Sequence, residues 1–401
     1  GDAIADELTA QMGRPRRFSP GEVAGFADRA RTMLSLAPEA LADIVPPEKA
    51  GFQRLVRREP LGVVLVLAPW NYPYLTAVNA VVPALAAGNV VLLKHSDQTP
   101  LCAERMVEAG RAAGLPPGVF EFIHMSHELT AAAVRDTRVD HVAFTGSVGG
   151  GHAVVQAASE RFVGVGLELG GKDPAYVRAD ADIAFAAENV VEGALFNSGQ
   201  SCCAVERVYV HASVWEDFIE KAVAAAEAWR LGLPTDGDTT LGPVVRPRNA
   251  EAIQAQIDAA MRAGAWGLVD PGPFADARAL GPGFMAPQLL VEVDHSMEIM
   301  KEETFGPVAG IMKVSSDEEA VRLMNDSRYG LTASLWTRDA EAAMRIGGQL
   351  ETGTVFMNRC DYLDPFLAWT GVKDSGRGCT LSAVGFEHLT RPRSYHLRLR
   401  D

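Results

Sequence analysis

From Leu61 onward the chain alternates apolar runs of strand length with longer runs of helix length, and no other feature restricts the fold as strongly. Val63–Ala68, Val90–Leu93, Val119–Ile123 and His141–Phe144 read as strands, and Leu101–Ala113 as one of the helices between them. A helix between two strands carries the chain back to the edge where the first strand began, so such strands lie parallel. Gly114-Leu-Pro-Pro-Gly118 marks one helix-to-strand join, with glycine past the helix end and proline after it. Beyond Cys203 a second series starts. It has a strand at Arg207–His211, a helix at Trp215–Leu231, a loop rich in Gly, Pro and Asp at Gly232–Pro243, and further units to Asn358. The expectation is an α/β protein with a doubly wound parallel sheet and a second α/β domain.

The flanks read differently. Residues up to about Ala42 have helical character, broken at Gly13-Arg-Pro15 and again at Ser19-Pro20-Gly21, which can cap a helix beginning at Glu22. The first residue is Gly1, and Asp2–Gln11 resembles the end of a helix already under way, so an upstream segment is expected. Phe52–Glu59 and Arg393–Arg400 alternate like exposed strands. The expected domains are 1–41 with 61–169, then 170–372, with 42–60 and 373–401 as an arm and tail.

At 401 residues the chain is long enough for two cores. A net charge of −14 without a basic cluster argues against nucleic acid and anionic membrane as partners, and the apolar runs are too short to span a bilayer. The five cysteines, at 102, 202, 203, 360 and 379, form neither a spaced disulfide framework nor a paired metal motif. A reducing compartment, the cytoplasm, fits them. None of the nine histidines has metal-ligand spacing, so no metal is expected.

Chemistry concentrates between Val165 and Cys203. The run Phe162–Leu167 delivers Glu168 to the small turn Leu169-Gly-Gly-Lys172, a place suited to a general base and equally to a carboxylate in a surface ion pair. A helix-like run from Ile183 to Leu195 then leads to Asn197-Ser-Gly-Gln-Ser-Cys202-Cys203. Either thiol can be a nucleophile, and a lone cysteine is more often simply buried. Asn71, in the loop after Ala68, can offer an amide to a developing oxyanion, or it can belong to an ordinary turn. Phe144-Thr-Gly146-Ser147 ends a strand and opens a helix, which leaves free N–H groups for a phosphate.

These residues resemble the aldehyde dehydrogenase superfamily. The resemblance rests on Leu167-Glu-Leu-Gly-Gly-Lys172 and Gly199-Gln-Ser-Cys202. It runs in order through Pro69-Trp-Asn71-Tyr-Pro73, Lys94-His-Ser-Asp97, Phe144-Thr-Gly146-Ser147 and Glu302-Glu303-Thr-Phe305-Gly-Pro307, nearly the whole chain. It implies a Rossmann-like cofactor domain beside a catalytic domain, and β-strand arms that build a homodimer or homotetramer. It also implies oxidation of an aldehyde to its carboxylate with NAD, NADP being possible. The implied roles are Cys202 as nucleophile, Glu168 as the base that activates water, and Asn71 as an oxyanion donor. Cofactor contacts are implied for Trp70, Lys94, Asp97, Gly146, Ser147, Leu169, Glu303 and Phe305. Asp97 would favour NAD by repelling a 2′-phosphate. Gly149-Gly150-Gly151 departs from the family's usual residues, and Asp361–Gly376 matches its loop only in part. In that region Trp369, with Tyr72 and Tyr74, can line an aromatic tunnel or simply pack. The rivals are a coenzyme-A-acylating relative, which has no use for Glu168, and a nucleotide-binding structural protein without turnover.

Overall fold

The structure, a computed structural model, describes residues 1–400; Asp401, the end of the expected 373–401 tail, lies outside them. The chain forms two compact units. One comprises Gly1–Gly21, Leu169–Tyr362 and Gly371–Ser375, and the other Glu22–Glu168, Leu363–Thr370 and Gly376 to the C-terminus. They are called here the 169–362 unit and the 22–168 unit.

In the 22–168 unit six strands form one sheet in the order Gly376–Arg377, Gly164–Glu168, His141–Thr145, Val63–Ala68, Val90–His95, Phe120–Phe122. All neighbours are parallel except the edge pair Gly376–Arg377 with Gly164–Glu168. Helices Pro73–Ala86, Pro100–Ala112, His127–Arg135 and Val148–Ala158 make the crossovers. The strand Val63–Ala68 is central. From it the chain winds outward through Val90–His95 to Phe120–Phe122, then returns to its other side at His141–Thr145. The direction of winding therefore reverses between Val63–Ala68 and His141–Thr145, and doubly wound sheets bind ligands at the carboxyl ends of the strands at such a reversal. Leu65, Leu67 and Val142 from these strands pack with Val134, Val154 and Ala157 to form a core on one face.

The 169–362 unit has a seven-stranded sheet in the order Thr354–Met357, Thr332–Trp336, Asp173–Val177, Val205–His211, Val308–Val314, Gln288–Val291, Trp266–Gly267. Every pairing is parallel except the last. The central strand Val205–His211 is buried along all but its final residue, as the middle of a parallel sheet covered on both faces must be, and it carries the charged pair Glu206 and Arg207 into that interior. Trp336, Phe218, Val190 and Val208 share one core cluster.

The flanking segments depart from the expected division. Residues 1–21 belong with the 169–362 unit: Arg14 Nε donates to Asn197 Oδ1 at 3.1 Å, Arg16 N to Pro234 O at 2.8 Å, and the Phe18 and Phe196 rings lie 5.0 Å apart. Apolar periodicity shows that a helix is amphipathic, not which sheet its apolar side will meet. The second helix starts at Ser19, not Glu22, and runs to Ala40. Glu22 faces inward, and its carboxylate accepts the Tyr74 amide at 2.8 Å at the start of helix Pro73–Ala86. The two arm strands pair with each other: Phe52–Pro60 and Thr390–Arg398 form an antiparallel two-stranded ribbon over their full lengths.

Candidate active site

In the 22–168 unit the strand register gathers the expected residues at the sheet's carboxyl edge. Leu67 is opposite both Lys94 and Phe144, and Thr145 is opposite Glu168. Trp70 and buried Asn71 follow the central strand, while Gly146 and Ser147 follow its neighbour across the reversal point. The Gly146 amide donates to the Glu168 carbonyl at 3.0 Å, tying the glycine turn to the end of the last parallel strand.

The turn at Gly146 opens helix Val148–Ala158, which Ser147 caps by accepting the Gly150 amide at 3.2 Å. Three successive glycines in the first turn cost helix stability. Their value here is space. A Cβ on Gly146 or Gly150 would meet the Phe144 ring at 2.6 or 2.7 Å, whereas Gly149 faces open space. The glycines thus let the Phe144 ring lie against this turn, and at Gly149 the backbone is open to its surroundings. Lys94 is half-buried and its ammonium is held below its ordinary range by burial, against the opposing pull of Asp97. Asp97 itself is exposed.

Glu168 is partly buried, and its carboxylate accepts hydrogen bonds from Thr380 Oγ1 and, at 3.4 Å, from Thr145 Oγ1. Burial pushes its pKa up to about 7, while both hydroxyls and the more distant Arg29 pull the other way. The carboxyl borders a small, mostly apolar cavity shared with His141, Cys379, Thr380 and His388. Cys379 is a poor thiolate, its pKa raised to about 11 by burial and the Glu168 charge.

In the 169–362 unit the turn after Glu168 is the organising piece. Leu169 is buried and its amide donates to Ser375 O at 3.0 Å. A Cβ on Gly170 would overlap the Glu303 carboxylate at 2.1 Å, and one on Gly171 would meet the Cys202 carbonyl at 2.7 Å. The two glycines therefore allow the turn to touch both motifs at once. Gly171 N also donates to Glu303 Oε1 at 3.3 Å. Burial, and next the Glu206 charge, raise the Glu303 carboxyl to about 8.

Cys202 follows a strained turn. Asn197, Ser198 and Gly199 all have left-handed backbone, at φ 53°, 59° and 68°, and such runs survive only where their surroundings fix them. Here Ser198 Oγ donates to Gly242 O at 2.8 Å, Asn197 Nδ2 to Gln200 O at 3.1 Å, and Gln200 Nε2 to Asn197 O at 3.0 Å. A Cβ at Gly199 would come within 2.0 Å of the Gly306 carbonyl, which explains the glycine. The adjacent thiols then differ. Cys202 is half-buried; Cys203 is buried and donates to Asp361 Oδ1 at 3.0 Å, an oxygen that also accepts Ser201 Oγ at 2.7 Å. Its hydrogen bond with Cys202, burial and the Asp361 charge hold the Cys203 thiol well above its ordinary range.

Of the expected residues, the 22–168 unit carries Trp70, Asn71, Lys94, Asp97, Gly146, Ser147 and Glu168, and the 169–362 unit carries Leu169, Cys202, Glu303 and Phe305. Sequence reasoning missed Thr380, Thr145, Asp361 and Glu206 as partners of these groups. Thr145 and Asp361 lay inside stretches already singled out; Thr380 and Glu206 have no local pattern. Trp369 and Tyr74 are buried in packing, Tyr74 edge-on to Phe26 at 6.0 Å, so the packing reading holds for both.

Comparison with known proteins agrees with this arrangement. The model of the aldehyde dehydrogenase family matches residues 1–395. The chain is 37% identical over 359 residues to "Aldehyde dehydrogenase, mitochondrial" of Leishmania tarentolae, covering 89% of this chain and 71% of that protein. It is 36% identical over 396 residues to "Succinate-semialdehyde dehydrogenase [NADP(+)] 1" of Mycobacterium bovis (strain BCG / Pasteur 1173P2), covering 97% and 84% respectively. Among solved structures, the NAD-dependent aldehyde dehydrogenase from Sinorhizobium meliloti superposes with a TM-score of 0.94 at 30% identity, over 99% of this chain and 79% of that one. With a doubly wound sheet, a glycine-opened helix and a cysteine whose carbonyl lies against the Leu-Gly-Gly turn, this chain belongs to the aldehyde dehydrogenase family, NAD(P)-dependent oxidoreductases that convert an aldehyde to its carboxylate.

Proposed function

We propose that Cys202 is the nucleophile of this reaction, Glu168 the base that activates water, and the Asn71 side-chain amide, with the Cys202 backbone N–H, the donors to the oxyanion. The observation that carries this reading is Glu168: a carboxyl at the carboxyl end of a parallel strand, pushed by burial to about 7, where it accepts a proton at neutral pH. Cys203 is the weaker candidate because its proton is committed to Asp361. Addition of the Cys202 sulfur to the aldehyde carbon gives a tetrahedral adduct, and the two amides stabilise its oxygen. The bound nicotinamide supplies the hydride acceptor. Glu168 then takes a proton from water as that water attacks the thioester carbon, and the Cys202 sulfur departs as the carboxylate forms. A route that transfers the acyl group to coenzyme A needs no such base, so Glu168 favours hydrolysis.

The residues that would hold the cofactor are the open first turn at Gly146 and Ser147 for the pyrophosphate, and Lys94 and Asp97 for the adenosine ribose. Trp70 and Leu169 add backbone and apolar contacts, and Glu303 and Phe305 hold the nicotinamide end. NAD+ is the favoured form, by a modest margin, because Asp97 stands in solvent where its charge is screened. Relatives named for NADP+ and for NAD+ both occur among the similar proteins. The substrate is an aldehyde. The ribbon of Phe52–Pro60 and Thr390–Arg398, whose first strand is bridged by Ile44 at Val56 and by Lys49 at Phe52 but not along its length, supports assembly as a homodimer or homotetramer. Five free cysteines support a reducing compartment, the cytoplasm. Among the described residues no helix is long and apolar enough to cross a membrane.

The test is a pair of variants assayed with and without coenzyme A. Cys202→Ala should form no NADH while Cys203→Ala remains active, and the product should be free acid whether or not coenzyme A is present. An active Cys202→Ala enzyme, or an acyl-coenzyme-A product, would contradict the reading.

A further inference from the structure

Glu206 lies near the start of the central strand Val205–His211, only 2% exposed, where a carboxylate is costly unless every oxygen is used. Both are used. Oε1 accepts the Phe305 amide at 2.9 Å and the Thr304 amide at 3.2 Å; Oε2 accepts the Thr304 amide at 2.8 Å and Lys172 Nζ at 2.5 Å. Lys172, 1% exposed, also donates to Thr304 Oγ1 at 2.9 Å, and that hydroxyl donates to Gln256 Oε1 at 2.8 Å. One buried ion pair thus grips two successive amides and one hydroxyl of a segment that has no helix or strand of its own.

That segment is the turn presenting Glu303 and Phe305. Phe305 has φ 56°, a left-handed conformation that a bulky side chain adopts only when its surroundings impose it. A carboxylate captured by its amide and by the preceding one does so. Lys172 connects this grip to the Leu-Gly-Gly turn, whose Gly170 and Gly171 rest against the Glu303 carboxyl. An ion pair buried this deeply contributes little net stability compared with apolar residues of the same volume. What it can supply is orientation.

We propose that Glu206, paired with Lys172, is a positioning residue that fixes the Glu303–Phe305 turn and, through it, the nicotinamide end of the cofactor. This rests on the reading above that Glu303 and Phe305 contact the cofactor. Arg207, the next residue, is committed elsewhere: its Nε donates to Lys172 O at 2.7 Å and its terminal nitrogens to Leu323 O and Met324 O.

The experiment compares wild type, Glu206→Gln, and the double variant Glu206→Leu with Lys172→Met, which removes both charges and leaves neither partner stranded. Amide hydrogen exchange of the cofactor-free enzyme is followed at Thr304 and Phe305, and NAD+ affinity is measured by calorimetry. The double variant should fold, exchange these two amides at least about tenfold faster, and bind NAD+ about tenfold more weakly, as expected for losing hydrogen bonds to a charged group. Glu206→Gln, which keeps one acceptor oxygen, should fall between. Unchanged exchange in the folded double variant overturns the positioning role whatever the affinity does. Faster exchange with unchanged affinity overturns the link to the cofactor, and Glu303→Gln measured alongside locates the fault: if it too leaves affinity unchanged, the contact assigned to Glu303 is what fails.

Discussion

The Thr380 hydroxyl donates to the Glu168 carboxylate across 212 residues of sequence, and it favours the charged form of a group that burial drives toward neutrality. Thr145 assists from the neighbouring strand. Around the carboxyl stand Arg29, which favours its charge, and Arg377, Cys379, His141 and His388 along the shared cavity.

Removing the Thr380 hydroxyl should therefore move Glu168 further up. As the proposed base Glu168 would act only when deprotonated, so hydrolysis should fall as pH drops through about 7. In Thr380→Val the acid limb of the kcat profile should shift to higher pH by roughly one unit, the worth of one hydrogen bond to a charged group. Thr380→Ser should restore it. An unshifted limb in Thr380→Val would remove the threonine from the base's environment.

The same burial has a cost in stability. A carboxyl with a folded-state pKa of about 7 against an ordinary 4.5 stays protonated in the folded chain where the unfolded chain has ionised. Its contribution is complete below the unfolded value, and is lost as pH rises from there toward 7. Glu168→Gln, which cannot ionise, should thus be more stable than wild type at pH 8 by on the order of 1–3 kcal/mol, and nearly equal at pH 5. Denaturant titrations at the two pH values measure this, and an equal difference at both would refute it.

Cofactor choice should be shallow. Two charges near a surface interact by a few kcal/mol at most, and exposed Asp97 is further screened by salt, with Lys94 of opposite sign near the end of the preceding strand. We expect kcat/KM to favour NAD+ over NADP+ by no more than about tenfold at physiological salt. Asp97→Ala should narrow or invert that margin. A preference for NADP+ in the wild type, unaltered by Asp97→Ala, would show that the discrimination lies elsewhere.

Much of this protein is legible in its sequence, for a physical reason. Parallel strands covered on both faces read as continuous apolar runs, so Val63–Ala68 and His141–Thr145 stand out from their residue types alone, and the turns after them place Asn71, Gly146 and Ser147. The short helix at Trp215–Glu227 is less legible: apolar periodicity continues past its end to Leu231 while the backbone turns away. Helix Val148–Ala158 forms through three glycines against propensity, because Ser147 caps it and its later residues are anchored on the sheet. Thr380 and Glu206 carry no such mark, because a hydroxyl or carboxylate signals its partner only when the fold brings the two together. Residues 1–21 show the same limit at the scale of a helix.

The most direct test of the central claim, that Cys202 carries the acyl group and Glu168 releases it, is rapid mixing of Glu168→Gln enzyme with aldehyde and NAD+, followed by intact and peptide mass spectrometry. General-base assistance is typically worth ~10²–10⁴-fold. The expected result is a burst of about one NADH per site, steady turnover reduced by that order, and an acyl adduct on Cys202 and not on Cys203. Undiminished turnover, or an adduct on Cys203, would contradict the account; loss of both burst and adduct would place Glu168 earlier, at deprotonation of the thiol.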